Sequence, residues 1–88
     1  MAPAVKLETP LCRGQIWHKP LRGASVYGGI VYGDYEEIEI LVANKRWVVA
    51  NTFIHDGYAD QRARRKSEGR REAFERNLAE AGAVLYRR

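Results

Sequence analysis

Hydrophobic and polar residues alternate most cleanly over residues 36–43, where Ile38, Ile40 and Val42 fall on one side and Glu37, Glu39 and Leu41 on the other. A period of two marks a strand with one buried face. Asn44, which tolerates the left-handed turn conformation, follows, and residues 46–50 resume as a strand with Trp47 and Val49 on one face. Together the two runs predict a β-hairpin. Upstream, Gln15-Ile16-Trp17-His18 alternates as a short strand, and residues 19–24 form a loop punctuated by Pro20 and Gly23. Residues 25–32 carry the β formers Val26, Tyr27, Ile30, Val31 and Tyr32, with Gly28-Gly29 in their middle predicting a bulge or sharp bend, followed by a turn at Gly33-Asp34. Asn51 to Ile54 read either as a short 3₁₀ turn or as more strand, and His55-Asp56-Gly57 closes the β section.

The period then changes. At about 100° per residue, Ala63, Phe74, Leu78 and Ala81 fall on one stripe, with Ala59 at its edge, predicting a helix over about residues 60–81. Asp60 is the expected N-cap, with Asp56 as the other candidate, and Gly82 fits the position that ends a helix. Gly69 inside this stretch costs about 1 kcal/mol against alanine, so the helix has a weak point there. Residues 83–86 read as a last short strand, and residues 1–12, with two prolines, as an extended arm with a loose tip.

At 88 residues the chain is one domain by size, with residues 13–88 forming it. Nine aromatics suffice for a small core, and Trp17, Trp47, Phe53 and Phe74 are the expected members. Tyr27, Tyr32, Tyr35 and Tyr58 are expected either buried or, beside arginines, as a platform for unpaired bases. The lone Cys12 excludes an internal disulfide and a cysteine-built zinc site. A single thiol, no signal peptide and no membrane-length apolar run point to the cytoplasm.

Charge is segregated. Net charge is +4, and residues 62–71 hold six basic residues against one acid. On the expected helix Arg62, Arg65, Lys66 and Arg76 lie opposite the apolar stripe, with Arg64 and Arg71 on a flank and Arg70 in the same run. Such a face suits phosphates, with the pairs Arg64/Glu68 and Glu72/Arg76 as the ordinary solvated alternative. Asp34, Glu36, Glu37 and Glu39 form an acidic counterpart on the hairpin: a solvent face, or a surface for a protein partner. His18 and His55 stand in no catalytic triad or metal spacing, so no catalytic residue, metal site or cofactor is expected.

The run Arg13-Gly14-Gln15-Ile16-Trp17 resembles the opening strand of SH3-like barrels, including the MazF-type toxin ribonucleases, whose catalytic residues have no match here. Over about residues 13–53, the Gly-Gln-Ile-Trp start, the glycine-bearing second strand and the Trp47…Phe53 end resemble short SH3-like proteins of phages and prophages. The expected fold is therefore α+β: a small SH3-like bent antiparallel sheet or barrel of four to five strands with one C-terminal helix. The leading functional expectation is a non-enzymatic binding protein whose basic helix contacts nucleic acid, DNA or RNA, or a nucleic-acid-processing complex, as a monomer or homodimer. The alternatives are a phage or mobile-element protein that binds and inhibits a host protein, and a toxin-type ribonuclease.

Overall fold

A computed structural model describes residues 7, 9–56 and 64–88. Its strands are β1 (Ile16–Pro20), β2 (Ser25–Tyr27), β3 (Ile30–Tyr32), β4 (Tyr35–Ala43), β5 (Trp47–His55), β6 (Arg65–Arg70) and β7 (Val84–Arg87), and its helix α1 is Arg71–Glu80. Among the described residues, five strands form one sheet in the order β6-β5-β4-β1-β7, and β2 and β3 form a second, two-stranded sheet. All pairings are antiparallel, making a small α+β fold.

The expected hairpin is β4–β5, and residues 51–54 continue the strand. Its turn is held differently from the expectation for Asn44. No non-glycine residue has positive φ among the described residues; instead Asn44 Oδ1 accepts the amides of Arg46 and Trp47, at 2.9 and 2.7 Å. The alternation of β4 slips once, because a bulge between Ile40 and Val42 turns Val42 outward while Ile38 and Ile40 stay buried.

One sheet face carries the core: Leu11, Trp17, Ile38, Ile40, Val48, Ala50 and Leu78. Three expectations change. Trp47 is exposed, because Ala50 pairs with Ile40 and this puts Val48 and Ala50 inward, leaving Trp47 and Val49 on the other face. Phe53 also belongs to that other face, whereas Phe74 packs at the core's margin. The end of the arm joins the core, with Leu11 only 1% exposed and Leu7 packed against it. Buried Gln15 secures this junction: its Oε1 accepts from the Cys12 amide and Trp17 Nε1, and its Nε2 donates to the Pro10 carbonyl. Trp17 is thereby buried with its polar atom satisfied.

Gly28 and Gly29 do not bend one strand but turn the chain between two. Both have positive φ, 60° and 76°, and lie between the paired Tyr27 and Ile30, as a two-residue hairpin loop requires. The ribbon exposes Val26, Tyr27, Ile30 and Tyr32.

The expected helix over residues 60–81 is the largest correction. Of its described residues, only Arg71–Glu80 is helical; Arg65–Arg70 is a strand paired with Trp47–Thr52, and Asp56 lies in a bend after β5. Residues 64–70 contain no apolar side chain, so a helix there has nothing to bury, while an edge strand needs only the backbone partners that β5 supplies. The proposed N-cap Asp60, with Tyr58, Ala59, Arg62 and Ala63, lies outside the described residues. The helix end follows the expectation: Gly82 has φ 73°, its amide bonds the Ala79 carbonyl, and the Ala83 amide bonds that of Leu78.

Leu78 is the helix's one fully buried residue. Leu78→Ala should cost about 2–5 kcal/mol, read as a lowered urea midpoint at unchanged slope.

Candidate functional site

The face opposite the core holds an aromatic row built by register. His18 on β1 faces Glu37 on β4, Glu37 faces Phe53 on β5, and Tyr35 faces His55. Diagonal neighbours on one face are within reach of aromatic side chains, and the rings pack accordingly. Tyr86 stacks on His18 with centroids 4.1 Å apart, His18 meets Tyr35 at 4.3 Å, and Tyr35 stacks on His55 at 4.7 Å. The four rings come from β7, β1, β4 and β5, in the order in which those strands lie in the sheet. Phe53 meets His55 edge-on at 4.8 Å, and the Arg64 guanidinium lies 5.3 Å from the Phe53 centroid.

Glu37 is the polar hub beneath the row. Its Oε1 lies 3.5 Å from His55 Nε2 and 3.9 Å from His18 Nε2, and its Oε2 accepts from Arg64 Nη1 at 3.4 Å. Neither Nε2 has a hydrogen-bond partner, and both are buried. Burial lowers the His18 imidazole below its ordinary value; Glu37 opposes that shift and His55 reinforces it. Burial raises the Tyr35 phenol, and Glu37 and Tyr86 add in the same direction. Among the described residues, no group of three or more His, Cys, Asp or Glu side chains is arranged to hold a metal ion.

The expected basic face is redistributed. Arg65, Lys66 and Arg70 are exposed along edge strand β6, and Arg64 precedes them beside Phe53. Arg76 is exposed on α1 rather than on β6. Arg62 lies outside the described residues. Arg71, expected on the phosphate-binding face, is committed inside the fold. Its Nη2 donates to the Leu11 carbonyl at 2.9 Å, its Nη1 to the Asn44 carbonyl at 3.1 Å, and its Nε to Glu75 Oε1 at 3.3 Å. It ties arm, hairpin turn and helix together.

The acidic residues do not form one patch. Alternation puts Glu37 and Glu39 on the ring-bearing face and Glu36 on the helix side, 3.9 Å from Lys19 Nζ, while Asp34 is exposed in the turn before β4. Glu36 and Lys19 line a cleft of about 340 Å³ between sheet and helix, where Lys19 also donates to Asn77 Oδ1 at 3.2 Å. Lys19 and Glu36 are thus partnered there. His18, His55 and Tyr86 were missing from the sequence-based site, and Tyr35 entered it only as one alternative to burial. Their only signal is parity: His55 shares a face with Phe53, and Tyr35 with Glu37, but the pairing across strands decides the rest.

Among the described residues, no helix is long and apolar enough to cross a membrane. Comparison with protein-family models, curated proteins and solved structures gives no match.

Two stability effects separate these roles. Arg71→Ala should destabilise by about 1.5–3 kcal/mol in urea unfolding, the range for hydrogen bonds to a charged group. The His18 contribution is fully present above the unfolded value of 6.5 and is lost as pH falls through the lowered native value. That of Tyr35 is present below 10.0 and is lost as pH rises through its raised value. Urea midpoints should therefore fall on acidification from about pH 8 to about pH 5, and His18→Gln should flatten that fall.

Proposed function

We propose that this protein binds nucleic acid, without cleaving it, through the sheet face opposite its core and the basic edge strand β6 that borders it. The observation that carries this is the exposure of Lys66 and Arg70, which pairing with Asn51 and Trp47 puts on the same face as a row of rings that ends at Phe53 and Arg64, while Arg65 is exposed at the start of the strand on the other side. Clustered arginine and lysine neutralise phosphates and release counterions, and rings supply faces for bases. The carrier of charge is thus an edge strand in place of a basic helix. The burial of both imidazole Nε2 atoms against Glu37 favours binding over cleavage, since neither atom is presented to a phosphodiester. An SH3-like fold is part of the same proposal: a meander β4-β5-β6 extended by β1 and then β7 supports it.

A second reading, binding and inhibition of a host protein by a phage-type accessory protein, is favoured by the β2–β3 ribbon. It exposes Val26, Tyr27, Ile30 and Tyr32 together, a concentration of apolar surface suited to a protein partner.

Fluorescence anisotropy with a labelled oligonucleotide across a salt series tests the leading proposal. Affinity should fall steeply with salt. Replacing both Lys66 and Arg70 by Gln should weaken binding and reduce the slope of log K against log salt by about 1.4 on a single strand. Absence of binding at low salt would refute the proposal.

A further inference from the structure

Tyr86 ends the ring row, and its placement has two sides. One face stacks on buried His18, at 4.1 Å and 17°, yet the residue remains 66% exposed. The rings behind it are fixed: His18 is buried, and Tyr35 is packed against both imidazoles. An aromatic ring held from one side and open on the other offers a planar ligand a surface already ordered, so little side-chain entropy is lost on binding. The next two residues in the chain, Arg87 and Arg88, are exposed cations. At the far end of the face lie Arg64 and the basic edge strand. Four strand spacings of about 4.8 Å separate β7 from β6, so the face offers charge at both ends of a span of about 19 Å.

We propose that the open face of Tyr86 receives an unpaired nucleobase, extending the ring row by one member, with Arg87 and Arg88 beside the phosphate of that nucleotide. The inference rests on the nucleic-acid reading above and narrows it: the ligand is single-stranded. A duplex keeps its bases stacked on each other and offers Tyr86 only its backbone. The exposed Arg and Lys set complements a polyanion, and the ring complements a flat, uncharged base, so the surface matches both parts of a nucleotide.

The test uses the full chain with a single-stranded oligonucleotide containing 2-aminopurine, and with a duplex of the same sequence at the same salt. Stacking on Tyr86 should quench 2-aminopurine fluorescence, and the single strand should bind more tightly than the duplex. Tyr86→Ala should weaken single-strand binding roughly 5- to 150-fold, the range of one base–aromatic stack, and abolish the quenching. It should leave duplex affinity and the salt slope unchanged, and Tyr86→Phe should restore wild-type behaviour. Circular dichroism of Tyr86→Ala checks that the fold is retained, as the side chain's exposure predicts. Salt-dependent binding indifferent to Tyr86→Ala, or equal affinity for single strand and duplex, would overturn the stacking site while leaving the basic edge strand's role intact. No binding of either oligonucleotide at low salt would overturn both.

Discussion

Everything in this domain hangs on β4 being hydrogen-bonded along both edges while facing two different environments. On its right and left lie β5 and β1, so its backbone groups are satisfied and its side chains alone decide what each face does. Ile38 and Ile40 commit one face to Trp17, Val48, Ala50 and Leu78. Parity then leaves Tyr35 and Glu37 no choice but the other face. A shift of one residue would exchange the two sets, burying a carboxylate in the core and exposing isoleucines. The core and the functional face are consequently specified by one register rather than by two separate sets of interactions.

That shared origin explains why the ring-bearing face is polar and yet ordered. Glu37 sits under two imidazoles and beside Arg64, and the carboxylate's position on the central strand brings all three toward it. Ring stacking between strands adds about 0.5–1.5 kcal/mol per pair beyond buried area, tying β7, β1, β4 and β5 together on that face. Arg71 plays the corresponding part at the other end of the molecule, where the arm, the β4–β5 turn and the helix start converge on its guanidinium. An arginine in a basic run and an arginine holding three segments together look identical in sequence; what separates them is whether carbonyl oxygens from distant segments arrive at it.

The strands were legible wherever alternation coincided with local turn chemistry, as in β4 and β5 around Asn44 and at the Gly82 helix end. The stretch at residues 65–70 was not legible, since its strand character comes from pairing with Trp47–Thr52 rather than from its own residues, which lack both apolar side chains and a β-forming bias. Trp47 misled for the reverse reason: its size predicts burial, but the register of β5 against β4 assigns the inward positions to the smaller Val48 and Ala50. The histidines of the ring row carry no motif. His18 and His55 are 37 positions apart (55 minus 18), and only the paired registers of β1, β4 and β5 bring them to one carboxylate. Gly28-Gly29 announced a change of direction correctly in kind and wrongly in degree, because a pair of glycines serves a bend and a full reversal equally well.

The ribbon formed by β2 and β3 has a consequence for how this protein tolerates change. Its turn needs two residues that accept positive φ, but its side chains contribute nothing to the buried cluster, and it hydrogen-bonds as a sheet of its own. Substitutions at Val26, Tyr27, Ile30 and Tyr32 are thus nearly free of the packing penalties that confine Trp17 or Ile40. The domain is divided into a part where sequence is held by volume and a part where sequence is open to drift, and new surface chemistry can be tried on the second without renegotiating the first.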